Sequence, residues 1–320
     1  MNPDPRVALA RLFEQEHRTK VVREAHVLAD EIVRRHEGAV QAVFFYGSCL
    51  RRDYVEGGVL DFYAVVDSYA AAYPSRRLLR LSNALLPPNV YYVELPWKGD
   101  TLRMKYNVIS RADFAHACRP ESLHPIIWAR FCQPAAIVHA RDEAVREALA
   151  EDTAEAAVTM VSRMLALFPQ AVTTDYLWQS GFATTYTTEL RAETPETIRT
   201  VYEAAPERYA TVAALAVEVL ARRGLVQGRV DGHQLQVRMG EPARQAIVAS
   251  WNRKLPIAKG LYVFRLLKSA ATFGDWLPYA LWKLQRHTGV VIETTERQRR
   301  HPFIYGWPVI FRLVRGQILR

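Results

Sequence analysis

Two apolar runs joined by a polar, glycine-bearing link constrain this chain more than any other feature. The segment FFYGSCLRRDYVEGGVLDFYAVVD occupies residues 44–67. Its first run, Ala42–Tyr46, is aromatic and closes on Gly47-Ser48. Its second, Val59–Val66, is broken only by Asp61. Apolar, β-branched and aromatic runs bounded by such residues predict two strands. A carboxylate inside VLDFYAVV is costly to bury without a partner, so Asp61 is a candidate for holding a ligand. The plain alternative is a buried strand–turn–strand in which Gly-Ser only makes the turn.

Further elements follow the same logic. Residues 4–36 carry apolar positions at helical spacing, and Gly38 stops that helix. Arg76–Leu85 reads as a helix ended by Pro87-Pro88, and Val90–Leu95 and Leu102–Ile109 as strands. Helices are predicted at Arg111–Ala117, Leu123–Phe131, Asp142 to about Phe168, and twice within Pro195–Ala221. Asp231-Gly232 lies between two alternating runs, a hairpin signal. A helix followed by a two-stranded hairpin suggests a winged-helix-like module, with an ordinary α+β subdomain an equal reading. In Lys259–Ala271, Leu261, Phe264, Leu267 and Ala271 fall on one face with Arg265 and Lys268 beside it, and Leu277–His287 is a second basic amphipathic segment.

Composition narrows the class. A chain of 320 residues, half of them hydrophobic, is globular and long enough for two domains at ~100–200 residues each. Cys49, Cys118 and Cys132 form no CxxC, which speaks against a disulfide framework and a structural zinc site. The N-terminus lacks the apolar stretch of a signal peptide. No apolar run approaches the ~18 residues of a membrane span. Charge is unevenly placed. Residues 251–320 hold 13 Lys and Arg against 3 Asp and Glu, and residues 1–250 hold 29 against 30. Four of the seven tryptophans (Trp251, Trp276, Trp282 and Trp307) share that tail, which ends in WPVIFRLVRGQILR. A basic, aromatic tail suits an anionic surface, either lipid headgroups or nucleic acid. The organisation expected is residues 1–145, then a helical part over 146–250, then a basic amphipathic region over 251–320.

A strand entering Gly-Ser, followed by a strand bearing a carboxylate, resembles the polymerase-β type of nucleotidyltransferase. In that superfamily the glycine lets backbone approach a triphosphate, serine and amides bind phosphate oxygens, and strand carboxylates hold Mg²⁺. The superfamily usually has two acids at alternate strand positions; here the earlier position is Val59 and Asp61 stands alone.

Four segments carry a narrower resemblance, in the same order over most of residues 40–320. They are FFYGSCLRR with VLDFYAVVD, RMKYNVIS, LHPIIWARFCQPAAIV and SGFATTYTTELRAE. This pattern resembles the mitochondrial-type phosphatidate cytidylyltransferases, the translocator assembly and maintenance protein family, which has bacterial members. That family also has a lone Asp in the strand. Cys49 and Asn107 stand where it often has Gly, and Glu189 where it often has Asp.

The resemblance implies an α+β fold: a polymerase-β-like domain with a mixed sheet, then the helical, winged-helix-like part and the amphipathic tail. It implies Mg²⁺-dependent conversion of CTP and phosphatidate into CDP-diacylglycerol and pyrophosphate. Under it, Asp61 holds the metal, Glu189 is a second ligand or a base, and Lys105 neutralises phosphate charge. Tyr46, Gly47, Ser48 and Arg191 border or bind the nucleotide. The implied partners are CTP and phosphatidate in an anionic membrane, with no nucleic acid, at the cytoplasmic face of a bacterial inner membrane. Read without the family, Lys105 is a solvated strand residue, Glu189 and Arg191 are helix charges, and Tyr46 is core. Glu94 is a further acid expected at the surface, Asp67 a turn cap, and His124 and His139 packing residues. Two other functions fit the residues: transfer to RNA or a small acceptor, and a non-catalytic membrane-surface protein of the same fold.

Overall fold

The computed structural model describes residues 4–52, 58–189 and 194–272. Two helices open the chain, α1 (Pro5–His17) and α2 (Arg23–Arg35). Asp4 caps α1 by accepting from the Arg6 N–H at 3.0 Å. The single helix expected over 4–36 is therefore broken, and burial gives the reason. Leu9 and Phe13 of α1 enter one hydrophobic cluster, whereas Ala25, Leu28 and Ile32 of α2 enter another. One straight helix could not serve both.

The two clusters lie on opposite faces of a mixed five-stranded sheet. Its strands are β1 (Val40–Tyr46), β2 (Val59–Val66), β3 (Asn89–Trp97), β4 (Asp100–Ser110) and β5 (Ala135–Ala140), in the order β3-β4-β2-β1-β5. β2 and β4 run parallel, and the other neighbours are antiparallel. Side chains alternate across a strand. Ala42, Phe44 and Tyr46 accordingly join the first cluster, with Tyr63 and Val65 of β2. Val43 and Phe45 join the second, with Phe62, Ala64 and Tyr106.

Shorter helices decorate the sheet: α3 (Ser48–Arg52), α4 (Tyr69–Ala72), α5 (Arg77–Leu85), α6 (Arg111–Ala117) and α7 (Ile126–Phe131). The first cluster is thickened by α8 (Glu143–Leu167), α9 (Thr174–Thr188), α10 (Pro195–Glu203) and α11 (Pro206–Arg222). Asp142 caps α8 through the Val145 N–H at 2.8 Å. Gly181 lets α9 lie close on α8, because a Cβ there would sit 2.5 Å from the Met160 Cε.

Strands β6 (Val226–Asp231) and β7 (Gln234–Met239) follow α11 as a hairpin. Asp231 pairs with Gln234, so the turn is Gly232-His233, one residue later than the sequence suggested. The last described element, α12 (Glu241–Thr272), contains the Lys259–Ala271 segment. Leu277–His287, Trp276, Trp282, Trp307 and the final basic stretch lie outside the described residues.

Candidate functional site

One transverse row of the sheet holds three of the residues that the sequence singled out. Asp61 of β2 pairs with Tyr46 of β1 on one side and with Lys105 of β4 on the other. Lys105 in turn pairs with Tyr92 of β3. Residues in register share a sheet face, so Tyr46, Asp61, Lys105 and Tyr92 all project to the side of the first cluster. Asp61 and Lys105 are half-buried, at the edge of the packed core.

The Gly47 backbone turns sharply beside Asp61. Its φ is +92°, and a Cβ on it would lie 3.0 Å from the Asp61 Oδ2. An L side chain here would be strained and would meet the carboxylate at once. The aspartate and the glycyl bend therefore converge. Ser48, exposed, begins the short α3 immediately beyond. Cys49 turns inward, its Sγ 3.5 Å from the Val59 carbonyl oxygen.

Behind this row lies a charged floor that sequence reasoning missed. Arg130 of α7 donates from Nη1 to the Tyr63 hydroxyl at 3.1 Å and from Nη2 to the Glu189 Oε2 at 3.3 Å. Its guanidinium carbon is 5.4 Å from the Tyr46 ring centre and 5.8 Å from that of Tyr63. Burial works against the Arg130 charge. The surrounding Tyr46, Tyr63, Glu189 and Asp61 outweigh it and hold the group well above its ordinary range. Burial likewise pushes the Tyr46 and Tyr63 hydroxyls up, so both are neutral donors or acceptors. Asn107 fixes Tyr46 by donating to its hydroxyl at 3.3 Å and to the Phe62 carbonyl at 3.1 Å. Arg130 sits in the apolar run IIWARF, and an arginine there was the available signal.

Glu189 caps the end of α9 and is 5% exposed, so the structure assigns its carboxylate to Arg130. Arg191 lies outside the described residues. Glu94 is exposed as expected. It lies on the same face as Lys105 and accepts from Tyr92 at 2.7 Å and Arg103 at 3.2 Å. Asp67 is held by Arg141 and Gln41. Burial lowers the His124 imidazole to about 3, and it lowers His139 as well. Among the described residues no three His, Cys, Asp or Glu side chains group as a metal site. A site with one carboxylate still fits Mg²⁺, which binds through one or two carboxylates plus substrate phosphates and keeps its waters.

α12 brings a second guanidinium toward this floor. Arg265 donates from Nε to the Pro87 carbonyl at 2.7 Å and is close enough for its charge to be felt by Tyr63 and Glu189. Its Nη1 is sealed without a hydrogen-bond partner. Arg265 also lines a cavity of about 140 Å³ with Pro88, Ile109, Leu123 and Ile126.

No protein-family model matches the chain, and no curated protein does. Among solved structures, similarity was found to a nucleotidyltransferase-like protein from Exiguobacterium sibiricum. The identity is 12% over 91% of this chain and 92% of that one, with a TM-score of 0.26. At that level it assigns no activity.

Proposed function

We propose that this protein is a nucleotidyltransferase that moves a cytidylyl group from CTP to phosphatidate, giving CDP-diacylglycerol and pyrophosphate. The observation that carries this reading is the approach of the Asp61 carboxylate to the Gly47 bend, in register with Lys105. An acid, an opened backbone and a cation at one rim suit a triphosphate with its metal better than they suit a plain turn.

The chemistry asks for little acid–base work. A phosphate monoester is already largely dianionic at neutral pH, because its second pKa is ~6. One of its oxygens attacks the α-phosphorus of CTP, a new phosphoanhydride bond forms, and the bond to the β-phosphate breaks to release pyrophosphate. The task is to hold two anionic phosphates in line and neutralise them. Mg²⁺, held by Asp61, would supply most of that neutralisation. Gly47, lacking a Cβ, would let phosphate oxygens approach the backbone, and the Ser48 hydroxyl, on an exposed residue, would donate to them. Lys105 adds positive charge one strand away. Arg130 and Asn107 hold Tyr46 as the wall of the site. For Glu189 to act as a base or a metal ligand, it would first have to leave Arg130.

The decisive experiment supplies labelled CTP and Mg²⁺ with phosphatidate vesicles, and separately with RNA. Labelled CDP-diacylglycerol with release of pyrophosphate is the expected result. Label in RNA, or CTP binding without turnover in either arm, would overturn this substrate assignment.

A further inference from the structure

Helix α5 docks with a polar residue sealed inward, and α12 turns Lys254, Arg265 and Lys268 inward beside the buried Ala258. In α5 the residue sealed in the protein is Asn83, at 0% exposure, whereas Leu78, Leu81 and Leu85 are 83%, 55% and 74% exposed. Asn83 accepts from the Asn89 N–H at 2.8 Å and donates to the Val108 carbonyl at 3.1 Å. The three leucines recur at i, i+3 and i+7, one stripe of the helix. In α12 the side expected to meet an anionic surface is turned to the protein. Lys254 donates to the Glu121 carbonyl at 2.8 Å, Arg265 to Pro87, and Lys268 to Pro88 at 2.7 Å and to Leu86. The exposed stripe of α12 runs through Ile257, Gly260, Phe264 and Leu267. Since Leu86 caps the C-terminal end of α5, Lys268 ties the two helices together there.

Contiguous apolar stripes on a protein surface ordinarily meet a partner. Charge selects which one. Residues 68–93 and 242–272 contain no Asp or Glu, and exposed Arg76, Arg77 and Arg80 flank the α5 leucines. A second copy of this chain would bring the same cations face to face. Residues 273–320 carry eight Lys and Arg against three acids, which makes them a poor electrostatic match as well. An anionic lipid bilayer offers negative headgroups above hydrocarbon, which complements leucines rimmed by arginine.

We infer that the outward stripes of α5 and α12 form a docking face for an anionic membrane. The leucines and Phe264 enter the headgroup–acyl boundary, and Arg76, Arg77 and Arg80 lie against the phosphates. The purpose of this face rests on the lipid-substrate reading above, but its occupancy is measurable without turnover.

The test is flotation of the full chain with vesicles of phosphatidylcholine alone and with about 30% phosphatidylglycerol. Wild type should float with the anionic vesicles only. Leu78→Ser/Leu81→Ser/Leu85→Ser, Phe264→Ser/Leu267→Ser and Arg76→Gln/Arg77→Gln/Arg80→Gln should each weaken partitioning roughly tenfold or more. Each should lower the melting temperature by a few degrees at most, the cost of ordinary exposed changes. Unchanged flotation of the leucine variant, or no flotation of wild type, overturns the inference. A fall in its melting temperature well beyond a few degrees would show that the chain itself covers the leucines. Conversion of a wild-type dimer to a monomer would show that a second copy does. Either result also overturns it. Flotation without CDP-diacylglycerol formation would sink the proposed activity and leave the docking face standing. Turnover of a soluble short-chain phosphatidate without flotation would do the reverse.

Discussion

The floor beneath Asp61 and the edge formed by α5 and α12 break the ordinary rule of burial in opposite senses. The floor puts charges inside: Arg130 and Glu189 lie among Tyr46, Tyr63 and Phe131. The edge puts hydrocarbon outside. Both arrangements cost free energy, but only the floor contains its own compensation. Arg130 and Glu189 there pair with each other, whereas the leucines of α5 are exposed, with no cover among the described residues. The difference separates a site assembled within the molecule from a surface completed by something outside it.

Removing the one carboxylate at the rim is the harshest test of that division. Asp61→Ala should cut CDP-diacylglycerol formation by roughly 10³-fold, since it takes away the group proposed to hold the metal. Asp61 is half-buried and not part of the apolar core, so the melting temperature should move by only a few degrees, on the order of 1 kcal/mol. Full activity in Asp61→Ala would end the nucleotidyltransferase reading. A collapse of the fold would move Asp61 from the site to the floor.

The floor should respond the other way. Arg130→Met leaves Glu189 buried and unpaired, and about 3–5 kcal/mol of stability should be lost in urea unfolding. Pairing it with Glu189→Gln should recover part of that loss, because the orphaned charge goes too. If the single and double variants were equally unstable, the pair would not be the source of the cost.

Within α5 the contrast can be read on a single helix. Asn83→Ala strands the Asn89 N–H and the Val108 carbonyl and should cost about 1–3 kcal/mol. Leu81→Ser, two residues away, should cost within about 0.5 kcal/mol, as for an ordinary surface change. Thermal melts of the two proteins compare them directly, and the reverse order would mean that α5 sits the other way round.

These inversions also mark where sequence reading stops. Hydrophobic runs and turn residues place β2 at Val59–Val66 and the Asp142 cap of α8, because both signals are local. Strand β5 is hidden by its alanines, and α9 by a threonine-rich stretch with Gly181 at its middle. Helical periodicity shows that Lys259–Ala271 is two-sided but is silent on which side faces in. That is decided by the carbonyls of residues 86–88 and 120–122, far away in the chain. The Tyr46–Asp61–Lys105 row was half legible. The residue types were evident, but the register across three strands was not, and the Arg130–Glu189 pair spans 59 positions.

The gentlest perturbation is protonation at the junction of the two helices. Burial, and then the nearby Arg265 charge, lower Lys268 to about 7 from an ordinary 10.5. The folded protein therefore holds this proton less tightly than the unfolded chain does. Between about pH 7 and 10.5 the unfolded state binds more protons at this position, so its contribution to stability rises with pH across that window and is flat below it. Lys268→Met should remove this upward slope and leave the rest of the pH profile in place. Urea midpoints for both proteins at several pH values from 6 to 10 would show the two curves converging at the alkaline end. Curves that stayed parallel throughout would mean that Lys268 is solvated, which would untie α12 from α5 and weaken the case that their stripes act as one face.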